Sequence, residues 1–458
     1  MTIELTGSTL SISELTRVAR DGERVELARD VAGRVRSGRA IVERLMPGDP
    51  IYGLNTGVGV RKRVRVPVEE LPEFNRRSIL EHRVGQGPPA PPDVVRAQLL
   101  LVTNSFARGT AGVRMELLEH LVGRLNDGAL PEVRSLGSIG IADLPANADL
   151  AYGLLDGIEL AAKEGLALLN HNAYSTARAA LAFTDAERLV RTALVAAALD
   201  LEALAGNLSV LNVSGDDLHA LLKGSYLEEP GAARNLQDPL SFRCIPQVAA
   251  AARDTFAFAR ATIERELNRS QENPLVLLDE GSIVSVGSFD ALPLAQALDL
   301  TRIALAPLLT SAAERTVKLL QSPITGLPEG LAAEAGLAES GLSELGVPVQ
   351  AFAAEAKLLA QPVSIETAST SHHEGIEDRI TLAPLSARRL AEMVGLGARV
   401  VSVELVVAAQ AIDLRGGPRL GAATTDLYAK VRELVPFTGR GDPPPQDLEP
   451  VVELVRRF

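Results

Sequence analysis

Four stretches of this chain, Thr184 to Gly206, Pro246 to Leu267, Ala291 to Leu320 and Leu382 to Leu414, are long, mostly free of Gly and Pro, and apolar on more than one face. Apolar spacing of this kind predicts helices. A helix that is apolar on several sides has to be covered on several sides, so the chain is restricted to a large bundle, with further cover available at subunit contacts. Composition sharpens the point: 46% of the 458 residues are hydrophobic but only 3% are aromatic, and none is Trp, which describes one aliphatic core. Ser11 with Glu14, and Thr184 with Glu187, have the spacing in which side chain and backbone cap each other at a helix start. Strand signals are few. The best is Leu275 to Leu278, then Asp279-Glu280-Gly281, then Ile283 to Val286, a short hairpin.

Along the chain the sequence divides into a loop-rich N-terminal part (1–150), a central long-helix bundle (151–438), and a C-terminal linker with a short helix (439–458). Pro88, Pro89, Pro91 and Pro92 mark an extended connection in the first part, and Gly439 to Pro445 forms the linker. A net charge of -12 argues against a nucleic-acid partner, because phosphate binding needs a concentrated positive field. No basic stretch leads into an apolar run at the N-terminus, and the apolar segment Thr192 to Gly206 is broken by Asp200 and Glu202. Neither a secretory signal nor a membrane span is expected. A single cysteine, Cys244, excludes an intramolecular disulfide and fits a reducing compartment, so the expected location is cytoplasmic.

Candidate chemistry begins at Ile51-Tyr52-Gly53-Leu54-Asn55-Thr56-Gly57-Val58-Gly59, where three glycines and an Asn surround one Tyr. That composition describes a mobile loop presenting a phenol. The segment resembles the tyrosine loop of the aromatic amino acid lyases, the family of histidine and phenylalanine ammonia-lyases. Further segments follow in family order: Glu81-His82-Arg83-Val84-Gly85, Asn104-Ser105, Gly112-Val113-Arg114, Leu169-Asn170, Gln237-Asp238-Pro239-Leu240-Ser241-Phe242-Arg243-Cys244-Ile245-Pro246-Gln247, Glu272-Asn273-Pro274-Leu275, Gly287-Ser288-Phe289 and Glu377-Asp378.

The resemblance implies an all-α, ammonia-lyase/fumarase-like fold, assembled as a homotetramer with each site shared between subunits. It implies elimination of ammonia from an amino acid. Tyr52 is then the residue that removes the β-proton, and Arg243 the bidentate holder of the substrate carboxylate. Asn170 flanks the family's electrophile, Glu377 serves the amine or side-chain end, and His82, Gln237 and Phe289 contact substrate. For Arg243 and Glu377 the competing reading is a buried ion pair that stabilises the bundle.

The chain departs from the family where its cofactor is made. That cofactor is an imidazolone built from Ala-Ser-Gly, whose serine loses its hydroxyl to leave an exocyclic methylene. Here Gly137-Ser138-Ile139-Gly140 is followed by Ile141-Ala142-Asp143-Leu144, and neither an ungapped register nor a one-residue deletion supplies the serine. Ala142 has no leaving group, and a Cβ at Asp143 crowds the nitrogen that must close the ring. Ser138 matches a serine that relatives carry outside the cofactor. Two ionisable groups are new, Asp143 and His171, the latter within Asn170-His171-Asn172 in place of Asn-Gly-Thr; with Tyr52 they form a candidate acid/base set. No cofactor is expected, and no metal, because His372-His373-Glu374 lacks the HExxH spacing and neighbours on a helix point about 100° apart.

Two functions follow. One is a cofactor-independent lyase performing acid/base elimination, addition or cyclisation on a small carboxylate derived from an amino acid; the other is an inactive homologue kept as a ligand-binding or scaffold protein. The composition at 141–143 is directly testable: intact-mass spectrometry should return the mass of the unmodified chain, and a loss of two waters mapped to Ile141–Asp143 would overturn the expectation.

Overall fold

Helices dominate, as the periodicity requires. The computed structural model describes every residue except 1, 212–215, 337 and 366–376. The four long apolar stretches are helices Ala173–Leu204, Ile245–Leu267, Leu292–Leu319 and Ala383–Leu414. The first begins eleven residues before the predicted capping box at Thr184. Thr184 is in mid-helix, where its hydroxyl donates to the carbonyl of Ala180 at 3.0 Å. The Ser11 signal behaves as expected: the Ser11 hydroxyl accepts from the amide of Glu14, and the Glu14 carboxylate accepts from the amide of Ser11, opening helix Ile12–Asp21.

Two compact units share the chain. Unit 1 comprises 1–184, 259–299 and 362–388, and unit 2 comprises 185–258, 300–361 and 389–458. Neither 150 nor 438, the breaks of the linear division, coincides with a change of unit, because long helices such as Ala173–Leu204 carry the chain from one unit into the next.

Unit 1 is more helical than its glycine content predicted. Helices Val31–Leu45, Leu71–Glu81, Pro92–Phe106, Met115–Asp127 and Leu144–Leu154 are short; Met115–Asp127 ends on Gly128 in the left-handed conformation, and Pro92–Phe106 and Leu144–Leu154 are buried on most sides. Its three two-stranded sheets include the predicted hairpin, Leu275–Leu277 against Ser282–Val284, and a parallel pair, Thr2–Leu5 with Arg24–Leu27, that alternation alone did not reveal. A core cluster of Ile41, Val42, Leu54, Leu71, Ala162 and Val276 joins four helix and loop segments to that hairpin. Each of the Ile, Leu and Val side chains contributes about 1.5–3 kcal/mol on burial, and Ala162 less. Leu54 lies in the tyrosine loop, so the core itself fixes where that loop runs.

Unit 2 contains helix Gly346–Leu359, helix Ala422–Leu434 and the C-terminal helix Glu449–Arg457, together with its shares of the long helices. Helix Leu292–Leu319 is long and apolar enough to cross a membrane by length and composition, yet 56% of its most apolar stretch is buried inside the protein. Burial by neighbouring protein accounts for its apolarity.

Candidate active site

The tyrosine loop is tied down rather than loose. Buried Asn55 accepts from the amide of Ile51 at 2.8 Å and donates to the carbonyls of Met46 and Asp49 at 2.9 and 3.0 Å. Gly53 holds a left-handed φ of 67°, and a Cβ there would stand 2.3 Å from a methyl group of Leu166. Only glycine fits that backbone. The phenol of Tyr52 accepts from the amide of Gly59 at 3.1 Å.

Tyr52 opens on a cavity of about 420 Å³ in unit 1, whose walls include Lys62, His82, Asn170, Phe289 and Glu377. Each side chain has a local cause. His82 ends helix Leu71–Glu81, and its Nδ1 donates to the carbonyl of Ser78 at 2.7 Å, leaving Nε2 as the ring's other nitrogen. Asn170 ends helix Glu164–Leu169 and donates to the carbonyl of Asn273 at 3.0 Å. That helix is anchored at its start by Glu164, fully buried, whose two oxygens accept from Arg114 Nε at 3.0 Å and Nη2 at 2.8 Å. Phe289 presents its carbonyl to Asn172. On the stretch that leads away from Glu377, Thr381 donates to the carbonyl of Gly140 at 2.6 Å and the amide of Leu382 donates to Ile139 at 3.0 Å.

Five of the nine predicted site residues therefore line one cavity: Tyr52, His82, Asn170, Phe289 and Glu377. Gln237 and Arg243 belong to unit 2, where Gln237 is exposed and Arg243 Nε donates to the carbonyl of Asp238 at 2.7 Å. Asp143 and His171 are not in the cavity wall. Asp143 is fully buried, and its carboxylate accepts from Ser138 Oγ at 2.8 Å, Ser175 Oγ at 2.8 Å and the Ser175 amide at 2.7 Å. It thereby caps the start of helix Ala173–Leu204, where partial positive charge favours an anion. His171 is 3% exposed and accepts from the amide of Ala173 at 3.3 Å.

Electrostatics separate these groups further. Burial pushes the His171 imidazole down to about 4, so it is neutral near pH 7. Burial raises the Asp143 carboxyl, against the opposing pull of its hydrogen bonds to Ser175 and Ser138. The Tyr52 phenol is raised as well, first by burial and further by the charge of Glu377, with the Gly59 amide pulling the other way. It is therefore protonated at neutrality.

Lys62 is among the wall residues that sequence reasoning missed. It ends the one-turn helix Gly59–Arg61, and its amide donates to the same Gly59 whose own amide holds the phenol. No motif marks it. Arg379, also in the wall, pairs with Asp290 at 2.8 Å. Among the described residues no group of three His, Cys, Asp or Glu could hold a metal, and His372-His373-Glu374 lies outside them.

The family model for aromatic amino acid lyases matches residues 10–157 and 154–433. The chain belongs to the aromatic amino acid lyase family. It is 35% identical to the histidine ammonia-lyase of Anaeromyxobacter dehalogenans, over 99% of this chain and 98% of that protein. Among solved structures it resembles ergothionase of Treponema denticola, an ergothioneine-degrading enzyme held in complex with desmethyl-ergothioneine sulfonic acid, with a TM-score of 0.93 and 27% identity over 100% and 99% of the two chains. It also resembles histidine ammonia-lyase of Trypanosoma cruzi, with a TM-score of 0.89 and 26% identity over 100% and 94%. The all-α fold is thus that of the ammonia-lyases and aminomutases, and the chain is a lyase.

The buried imidazole gives a pH signature with a definite sign. An unfolded His titrates near 6.5 and the folded one at about 4, so the stability that depends on neutral His171 is whole above pH 6.5 and is lost as pH falls toward 4. By that shift, His171→Gln should remove roughly 2–3 kcal/mol of the stability lost between pH 7.5 and 4.5. Urea midpoints at both pH values check it; equal acid slopes in the two proteins would show that His171 is not buried neutral.

Proposed function

We propose that this lyase eliminates an amine from a carboxylate-bearing, amino-acid-derived substrate without the family's imidazolone. The observation that carries this reading is the segment Ile141-Ala142-Asp143 beside a retained Tyr52. These residues do not fit the group. Ala142 has no oxygen to lose, and the Asp143 amide, the nitrogen at the ring-closing position in the ungapped register, donates to the carbonyl of His171 at 2.9 Å. Ser138 is committed to Asp143. Relatives that act on histidine or ergothioneine support an amino-acid substrate.

The geometry also sets a condition on Tyr52. With its phenol raised by burial and by Glu377, it becomes a base only when a cation enters. A substrate ammonium beside Glu377 cancels the charge that disfavours phenolate and adds its own attraction for it. The substrate thus activates the group that removes its β-proton, a proton only weakly acidic otherwise. Glu377 takes the amine end, His82 and Phe289 the side chain, and Arg243 the carboxylate through its planar fork. Asp143, with His171, serves as the scaffold behind the wall. The protein works in the cytoplasm on a small molecule.

We further infer a homotetramer with sites shared between subunits. In unit 2, Leu236 is 97% exposed and Leu240 63%, on the very segment that carries Gln237 and Arg243, and Val347 and Leu358 are 66% and 64% exposed. Apolar surface of this kind is what a subunit contact covers.

Turnover of L-histidine and ergothioneine, followed by the ultraviolet absorption of the conjugated product, tests the first reading. Tyr52→Phe should lower turnover roughly a hundredfold with little change in ligand affinity, and Arg243→Lys should weaken binding of the carboxylate. Tight binding with no turnover of any amino-acid-derived substrate would replace the enzyme with a ligand-binding scaffold. Sedimentation at micromolar protein should give a tetramer; a stable monomer would end the assembly reading.

A further inference from the structure

Asp200, one of the two charges that interrupt an otherwise apolar helix, has no part in the site described above. In unit 2 it meets Arg315 and Glu404, from three different long helices. Arg315 Nε lies 2.7 Å from Asp200 Oδ2 and 3.1 Å from Glu404 Oε1, and Nη2 lies 2.6 Å from the same Glu404 oxygen. The side chains are 4%, 0% and 0% exposed. Two carboxyl groups face one guanidinium. Burial, and then the charge of Glu404, hold the Asp200 carboxyl well above the usual carboxylate range. Buried clusters of this type are poor stabilisers, because desolvation consumes what pairing supplies, and well-packed apolar replacements are often neutral or better. Stability therefore does not explain it.

The remaining Arg315 nitrogen does. Nη1 reaches the carbonyl of Ser241 at 3.4 Å, the long end of hydrogen-bonding distance. Ser241 lies in the one-turn helix Leu240–Arg243. On its other side the turn is fastened by fully buried Phe242 and by Asp238, whose carboxylate accepts from the amide of Asn207 at 2.7 Å and from Asn235 at 3.2 Å. Arg243 Nε is bonded back to the Asp238 carbonyl, while its two terminal nitrogens make no hydrogen bond among the described residues. The guanidinium is thus fixed at its root and open at its fork.

We propose that Arg315, gripped by Asp200 and Glu404, is a positioning residue for Arg243: it holds the Ser241 carbonyl and with it the turn that presents the guanidinium fork. This rests on the assignment of Arg243 to the substrate carboxylate. The cluster exists to keep one cation preorganised, so that binding does not have to order it.

The test uses the full-length protein and needs no ligand for its deciding readout. In the triple variant Asp200→Leu, Arg315→Met, Glu404→Met, the melting temperature should stay level or rise, while hydrogen exchange at the amides of Phe242, Arg243 and Cys244 accelerates by about tenfold or more, with helix Ala422–Leu434 unchanged as reference. Asp200→Asn, which keeps the shape and leaves Glu404 to hold Arg315, should leave exchange at the turn as it is. Should the triple variant not fold, Arg315→Lys retains the charge but cannot bridge both carboxylates and the Ser241 carbonyl, and should loosen the turn alone. Unchanged exchange at 242–244 in the triple variant, or in Arg315→Lys where the triple variant does not fold, overturns the proposal. With L-histidine or ergothioneine as probe, the same variants should raise KM about tenfold and leave kcat within about twofold. If Arg243→Lys leaves KM unchanged while the cluster variants still loosen the turn, the carboxylate-holding role fails and the positioning of the turn stands.

Discussion

A carboxylate without access to water holds the site in place. Asp143 satisfies its oxygens with two serine hydroxyls and the first turn of helix Ala173–Leu204, and its amide is bonded to the backbone at His171. Those four bonds fix the bend from Ser138 to Leu144. On that bend depend Ile141, bridged to Asp290, and Gly140 and Ile139, which receive Thr381 and Leu382 from the stretch beyond Glu377. Three walls of one cavity are therefore referenced to a single buried group. Leaving such a group unsatisfied costs about 1–3 kcal/mol per orphaned donor or acceptor, so the bend has one stable arrangement.

Periodicity made the long helices legible, because a helix buried on several sides carries an unbroken aliphatic pattern. It misplaced the start of Ala173–Leu204. The Thr-x-x-Glu spacing at Thr184 is equally compatible with mid-helix, where threonine bonds the carbonyl four residues back, and the cap that begins this helix comes from Asp143, remote in sequence. The N-terminal part read as loops because glycines punctuate it, yet the glycines separate short helices rather than replace them. At the site, motif order identified residues that share a cavity. It did not distinguish a side chain in the wall from one behind it: nothing local to Ala142-Asp143-Leu144 or to Asn170-His171-Asn172 states that Asp143 and His171 are sealed from solvent. Lys62 escaped for the opposite reason, since a lysine after an arginine reads as solvated charge.

The proposed chemistry makes the reactivity of the cavity depend on the charge of its ligand. Burial and Glu377 together keep the Tyr52 phenol protonated, so the empty pocket rests in its acid form. Under the proposed mechanism, proton-transfer power is conditional on occupancy by a cation, a form of selectivity that rejects neutral and purely anionic molecules at the chemical step as well as at binding.

Leu166 carries a different consequence. Its side chain lines the cavity and also presses on Gly53, where a single added carbon would come within 2.3 Å. The residue that sets the room for a substrate thus also sets the height of the backbone beneath Tyr52. A larger or smaller side chain at 166 would shift the phenol as it reshaped the pocket, so, with Tyr52 in its proposed role, an evolving line could not widen its substrate range at this position without also retuning its proton transfer. Specificity and reactivity are inherited here as one trait.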